Sequence, residues 1–515
     1  MQRSNRPFAH LELCSALESL DPGLSREAFK RLGRLAQPAR AAVRQQLVET
    51  ATYQHLLPEL MSAVAYPHSP VGVTAPPAWR EALRARGVRV APGSVLRWWS
   101  LVAELYASGL WAAVSRARDV LAGRMRSSPH DPYAVLLHLS SNMIPRGVGC
   151  GFDFLSWYLQ SDARPPGISE IWAHVTGRPG ASSNPLVTTT SQYLPSLRSF
   201  SQKARFLGAL TWTVIESTIR GMTGNWWDVA LLAQLVDVAY ARQLPPSQFA
   251  RAYVFNNARF IVRPLWTYIA EDAGASVDLV FYGSNIETFG ARNDQPRPVW
   301  PGYRGMTWPR YVVWDEVQAD FLHGLGIASP AVIGGPIGLT DAPVMTEPPE
   351  KPYVVVFDVT PHRPASLAKR GLPQPYYTPE VWRRFMTEIQ TALTANGFYM
   401  VYKKKREIGR VAAPTFRSEL DALSNQKRAI AVDPDIAPNR LIVDAAGVIS
   451  MPFTSTALIA RSMGKPTIYY DPLGVLVDED RLAHGVRVIG KMRELAQWLA
   501  ALQEAVASVA RPPRS

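Results

Sequence analysis

Val448-Ile449-Ser450-Met451-Pro452-Phe453-Thr454-Ser455-Thr456-Ala457-Leu458-Ile459-Ala460, continued by Gly464-Lys465-Pro466-Thr467-Ile468-Tyr469-Tyr470-Asp471-Pro472, reads as a strand, a hydroxyl-rich turn, a helix and a second strand. A crossover helix between two short apolar strands implies a parallel sheet, so the surrounding domain is α/β. Two readings of the hydroxyl cluster stand side by side. Serine and threonine are preferred N-caps and finish a helix. The free N–H groups and positive dipole end of such a helix also hold an anion such as a phosphate.

The same alternation fills residues 353–515. Strands are predicted at 353–357, 398–402, 429–432, 447–450 and 467–470, and helices at 379–396, 439–446 and 454–463, with Gly397 capping the first. An earlier unit repeats it, with strands at 252–255, 277–282, 310–314 and 331–334 around a helix at 263–273 closed by Gly274. Between the two, residues 341–352 (DAPVMTEPPEKP) carry four prolines in twelve positions and can continue neither sheet nor helix. The expected architecture is therefore a pair of doubly wound, Rossmann-type domains, 201–340 and 353–515, joined by a linker at 341–352. Ligands of such sheets sit beyond the carboxyl ends of the strands, here in the cleft. Residues 1–200 read as a mainly helical addition that docks an acceptor or a membrane. The stretch 208–241, with Trp212, Trp226 and Trp227 among apolar residues, reads as buried helix.

A chain of 515 residues suggests about three domains, and 47% hydrophobic with 19% charged residues is globular composition. Two cysteines, Cys14 and Cys150, give no disulfide framework and no zinc spacing. His10, Glu12 and Glu18 interrupt any apolar core of a leader. A cytoplasmic protein is expected. The longest apolar stretch, 96–114, is broken by Arg97 and Glu104 and falls short as a spanning helix. Of the net charge of +13, residues 1–130 supply +8, from 17 Lys/Arg against 9 Asp/Glu. Beside Trp98, Trp99, Tyr106 and Trp111, that charge suits an anionic membrane surface or an anionic glycan, and equally a solvated arginine-rich face. No nucleic-acid-binding motif accompanies it, so no nucleic acid partner is expected.

The predicted strand ends of the last domain are polar, as a ligand crevice requires. The first delivers Asp358, Thr360, His362 and Arg363; the second, Lys403, Lys404, Lys405 and Arg406; the third, Asp433 and Asp435; the fourth, Ser450 with Thr454, Ser455 and Thr456; the fifth, Asp471. In an extended run Lys403 and Lys405 share one face and Lys404 and Arg406 the other, so one pair can face a phosphate. His362 suits proton transfer or stacking on a base, or is a hydrogen-bonded loop histidine. Asp433 and Asp471 can accept from ribose hydroxyls, although Asp-Pro also starts turns. In the preceding domain Glu287 is the first candidate for a base or nucleophile facing the cleft and Asp315 the second, with an N-cap the stronger reading for Asp315.

Several separated blocks now share an order: Phe281-Tyr282-Gly283-Ser284-Asn285 with Glu287, Met306-Thr307-Trp308-Pro309-Arg310-Tyr311 with Trp314-Asp315, Phe357-Asp358-Val359 with Pro361-His362-Arg363, Tyr376-Tyr377-Thr378-Pro379-Glu380, and Ile449 to Thr456 followed by Tyr469-Tyr470-Asp471-Pro472. Over roughly residues 250–500 the chain resembles the bacterial polysaccharide-biosynthesis family named for its PFTS motif. The resemblance implies a GT-B-like transferase, distantly similar to sialyl- and Kdo-transferases that use CMP-activated sugars. It further implies that Thr454, Ser455 and Thr456 hold the donor phosphate. The Lys-x-His-Pro block of those enzymes would fall near Lys403 to Arg406, where no His-Pro stands.

The expected activity is transfer of a sugar from a nucleotide donor, CMP-activated, to a surface polysaccharide or lipid-linked glycan, in the cytoplasm or at the inner membrane face. The expected cofactor is none and the expected metal is none, because Asp433-Pro434-Asp435 is the only candidate for a DxD pair at a predicted strand end and its proline argues a turn. Two alternatives stay open. A sugar-nucleotide epimerase would turn over donor alone, and a non-catalytic assembly component would bind polysaccharide without nucleotide.

Overall fold

The computed structural model describes residues 12–14, 16–17, 20, 24, 29–47, 55–139, 154–175, 184–257, 261–284, 302–336, 352–363, 375–403, 409, 412–424, 428–433, 436–452 and 454–510. Thirteen strands among them form two sheets. The first contains β1 (Tyr133–Leu139), β2 (Glu170–Val175), β3 (Val187–Thr190), β4 (Ala252–Asn256), β5 (Ser276–Val280), β6 (Arg310–Val313) and β7 (Ala331–Ile333), in the spatial order β3-β2-β1-β4-β5-β6-β7. The second contains β8 (Tyr353–Phe357), β9 (Tyr399–Lys403), β10 (Ala429–Val432), β11 (Gly447–Ser450), β12 (Thr467–Tyr470) and β13 (Arg487–Ile489), in the order β10-β9-β8-β11-β12-β13. Neighbouring strands pair parallel throughout. This is the expected pair of Rossmann-type doubly wound sheets.

Helices α1 (Ala36–Leu47), α2 (Leu57–Ala65), α3 (Pro77–Ala85) and α4 (Ser94–Leu121) precede the first sheet. Its crossovers carry α5 (Phe154–Gln160), α6 (Phe200–Met222), α7 (Trp226–Ala230), α8 (Leu232–Ala241) and α9 (Trp266–Asp272), with α10 (Glu316–Gly324) between β6 and β7. The second sheet is served by α11 (Pro379–Ala395), α12 (Phe416–Ser424), α13 (Pro438–Ile442), α14 (Thr456–Ser462) and α15 (Met492–Ala510). No helix among the described residues is long and apolar enough to cross a membrane.

The central strands of each sheet are buried on both faces, which is why β1, β4, β8 and β11 are nearly continuous apolar runs. In the first, Tyr133, Val135 and Leu137 point with Tyr253, Phe255, Val277 and Leu279 into a core shared with the N-terminal helices. Ala134, Leu136, Ala252 and Val254 point the other way, into a core continuous with that of the second sheet. Helix starts follow local chemistry. Thr378 caps α11, accepting from the Val381 N–H at 3.4 Å with Pro379 at the first helical position, and Ser199 with Gln202 forms a capping box at α6. Gly109 lets α4 lie against α8, because a Cβ there would come within 2.7 Å of Leu232 Cβ.

Residues 1–200 depart from expectation. They supply β1, β2 and β3, so the first sheet begins well before residue 201. Buried parallel strands lack a period-two pattern and cannot be told from apolar helix by periodicity. The stretch 208–241 also departs, since Trp212 on α6 is exposed whereas Trp226 is buried. The 341–352 linker, apart from Pro352, lies outside the described residues.

Candidate active site

The strands of the second sheet end level. Val432, Lys403, Phe357, Ser450 and Tyr469 are register partners from β10 to β12. Strand order reverses between β8 and β11, so this sheet's topological switch point lies between the loop after Phe357 and the loop after Ser450. The hydroxyl cluster stands there. Ser450 and Thr454 are buried; Ser450 Oγ and Thr456 Oγ1 share a hydrogen bond of 3.0 Å, Thr454 Oγ1 donates to the Met451 carbonyl at 2.7 Å, and Tyr469 Oη donates to the Thr454 carbonyl at 2.9 Å. The helix expected from Thr454 begins at Thr456, and Ser455 at its N-cap makes no side-chain cap. Instead Ser455 Oγ crosses to the first domain, accepting from the Ser284 N–H at 3.3 Å and from Ser284 Oγ at 3.1 Å.

Lys403 is buried at the end of β9, one strand beyond β8 and hence two strand spacings, about 10 Å, from Ser450 along the same edge. Lys404, Lys405, Arg406, Asp435 and Glu287 lie outside the described residues. His362, buried in the loop after β8, donates its backbone N–H to the Tyr377 carbonyl at 2.8 Å and packs its ring 4.9 Å from that of Tyr377. Asp358 Oδ2 accepts from Trp382 Nε1 and Tyr402 Oη, both at 2.7 Å, fixing the first residue of that loop.

Two carboxylates do not stand where a nucleotide contact needs them. Asp471 is fully buried and accepts from Tyr376 Oη at 2.8 Å and from the N–H groups of Leu473, Val475 and Leu476 at 2.8–2.9 Å. Four donors fill both oxygens, so Asp471 organises its own turn and offers nothing to a ribose. Asp433 is exposed at the end of the edge strand β10, three strands from β11. It is remote from the switch point.

Asp315 caps α10, its Oδ1 accepting from the Gln318 N–H at 3.0 Å, while Oδ2 contacts His484 Nδ1 of the second domain. Burial pushes this carboxyl up, but the His484 hydrogen bond and charge, with the Gln318 and Val317 amides, outweigh it and hold it below the ordinary carboxylate value. A depressed, paired carboxylate is a poor base, so the N-cap reading displaces the catalytic one. Arg481 and Asp320 form a third contact between the domains. Gln318 ties the facing strand ends together: its Nε2 donates to the Gly283 carbonyl at 3.0 Å and its Oε1 accepts from the Trp314 N–H at 2.8 Å.

A second crevice lies at the switch point of the first sheet, between β1 and β4. It is a cavity of about 590 Å³ whose lining includes Arg116, His138, Gln192, Tyr193, Asp237 and Trp266. Arg116 from α4 donates to Asp237 Oδ1 at 2.6 Å and to Tyr193 Oη at 2.8 Å, and Tyr193 Oη donates to Asp237 Oδ2 at 2.6 Å. The Tyr193 ring stacks on Trp266 at 5.5 Å. His138 has φ of +52° where the β1–β2 register slips between Leu136 and Leu139, and its N–H donates to His174 Nδ1 at 3.0 Å. Burial, reinforced by His138, pushes His174 down to about 3, so its ring is neutral near neutral pH. Sequence reasoning missed this crevice and His484, because their residues come from distant segments with no shared spacing; the apolar run at 133–137 was the one available signal.

A family model described as polysaccharide biosynthesis PFTS motif protein matches residues 210–499, more than half the chain. No curated protein matches. Among solved structures, the UDP-GlcNAc 2-epimerase of Methanocaldococcus jannaschii aligns at 9% identity over 73% of this chain and 99% of its own, with a TM-score of 0.38. The wall teichoic acid polymerase TagF aligns at 10% identity over 77% and 90% with a TM-score of 0.37. Medicago truncatula UGT71G1, complexed with UDP-glucose, aligns at 13% identity over 72% and 90% with a TM-score of 0.34.

Proposed function

Because this chain belongs to the PFTS-motif family of polysaccharide biosynthesis proteins, we propose that it is a glycosyltransferase moving a sugar from a nucleotide donor, CMP-activated by preference, to a surface polysaccharide or lipid-linked glycan. The observation that carries this reading is the Ser455–Ser284 bridge, which sets the hydroxyl cluster of the second switch point against the strand ends of the first domain. A donor bound beyond β8 and β11 would thus present its sugar to the first domain. Its leaving phosphate would be held by the hydroxyls of Ser455 and Thr456 with Lys403, Lys405 and Arg406, charge enough to dispense with a divalent ion for a monophosphate, while Thr454, whose hydroxyl donates to the Met451 carbonyl, would shape the turn. Glu287, two residues beyond the FYGSN block, would deprotonate the acceptor hydroxyl or take the sugar, and His362 would assist the phosphate.

The first-sheet cavity suits the acceptor. The stacked Tyr193–Trp266 pair lines it as an aromatic wall, and Ser115 and the amide nitrogen of Gln234 supply hydrogen-bonding groups, a combination that suits a saccharide. Thermal-shift measurements against CMP, CDP, UDP, GDP and ADP test the donor, since a ligand at a hundredfold excess over Kd stabilises by about 2.7 kcal/mol. A response to CMP is expected. No response to any nucleotide would overturn the transferase reading, and donor isomerised without acceptor would replace it with epimerisation.

A further inference from the structure

Helices α4 and α6 carry an apolar surface turned away from the core. They run side by side and antiparallel: Tyr106 and Thr218 share a hydrogen bond of 2.5 Å, the start of α4 packs on Trp226 just after α6 ends, and Ser128, soon after α4 ends, accepts from Arg198 just before α6 begins. Their inward faces rest on α8 through Gly109, Phe206 and Leu210. Their outward faces are inverted. On α4, Leu96, Trp99, Trp111, Val114 and Leu121 recur at helical spacing and are exposed, Trp111 by 69%. On α6, Trp212 (65%), Ile215, Ile219 and Met222 (84%) do the same. An ordinary surface helix places such residues inward, and a contiguous apolar face of this kind marks an interaction site.

We infer that this α4–α6 face seats the protein on an anionic lipid bilayer. Three of its exposed side chains are tryptophans, Trp99, Trp111 and Trp212, which favour the interface because the ring is apolar while the indole N–H needs a polar partner. Of the exposed ionisable side chains on the two helices, Arg97, Arg118 and Arg205 stand against Glu104, a surplus of positive charge that complements acidic headgroups. Helix α4 also has a second role: Ala112, Ser115, Arg116 and Asp119 line the first-sheet cavity. The bilayer face and the cavity are thus separated by one helix, about 10 Å thick. This rests on the proposed transferase reading and sharpens it. The acceptor is anchored in the membrane, and its saccharide enters the cavity while its lipid stays in the bilayer.

Co-sedimentation of the whole chain with vesicles rich in phosphatidylglycerol, compared with pure phosphatidylcholine, tests the inference. Binding to the anionic vesicles, weakened by high salt, and quenching of tryptophan fluorescence by brominated lipid are expected. The variant Trp111→Ser/Trp212→Ser/Ile219→Ser should lose about tenfold or more of that binding while keeping the parent's nucleotide thermal shift. Failure of the unaltered chain to bind or be quenched would overturn docking even if the variant did not fold. Equal binding by the folded variant, or a lipid-free dimer that the same substitutions dissociate, would also overturn it. A nucleotide response without vesicle binding would spare the transferase reading, and vesicle binding without a nucleotide response would spare docking alone.

Discussion

Asp315, at the first turn of the helix after β6, meets His484, which follows β12 in the other domain, so one carboxylate both caps a helix and fastens two domains across the cleft. His484 holds φ of +51°, which turns its ring towards Asp315 while its carbonyl accepts from Arg461.

The pair has a calculable sign with pH. A carboxyl whose folded pKa is depressed contributes stability above its unfolded pKa of about 3.9 and loses it as pH falls through the folded value. Unfolding midpoints measured from pH 6 to pH 2 should fall more steeply for the native chain than for Asp315→Asn, which keeps the cap but not the charge. Parallel curves would show that the pair adds nothing.

His174 acts over a different window. With its pKa near 3 in the fold and about 6.5 unfolded, it costs stability as pH falls from 6.5 towards 3, by up to about 1.4 kcal/mol per pH unit. His174→Gln, which can still accept from the His138 N–H, should flatten that dependence. Nitrogen chemical shifts should report a neutral ring at pH 5.

Asp471→Ala should be a stability defect and not a binding defect. It strands three backbone N–H groups and Tyr376 Oη, of which the Leu476 N–H and Tyr376 Oη belong to buried residues and are each worth about 1–3 kcal/mol when unsatisfied. Denaturant unfolding should show a loss of several kcal/mol, with nucleotide affinity of the folded fraction unchanged.

Ser455→Ala removes the acceptor for both Ser284 donors and a hydroxyl of the proposed phosphate site. Nucleotide affinity should weaken by about 1–2 kcal/mol, roughly five- to thirtyfold in Kd, as read by calorimetry. Glu287→Gln should leave that affinity intact and abolish turnover. An active Glu287→Gln protein would remove this residue from the chemistry.

Much of the fold is legible in the chain. From Ala252 onward, β4 to β12 fall within a residue or two of expectation because each short apolar run is bounded by glycine, proline or a capped helix, as with Thr378, Pro379 and Gly397 around α11, whereas β13, three residues long, is not among the expected strands. The first three strands are not legible: Tyr133–Leu139 is apolar at nearly every position, so two-sided burial erases the alternation that identifies a strand, while β2 and β3, six and four residues long with Glu170, His174 and three threonines among them, are too short and mixed to set a period. Trp212 misleads for the converse reason: an apolar residue in a helix marks a face but not which way the face turns.

The sequence by itself determined the parallel α/β class, the hydroxyl turn after β11 and the family, because backbone preference and local spacing are properties of neighbouring residues. Only the tertiary structure decided what each polar group does. Asp471 closes a turn, Ser455 reaches another domain, and Asp315 finds His484 169 positions away. A hydrogen bond is fixed by distance in space, and the loops that bring such residues together leave no trace in their spacing along the chain.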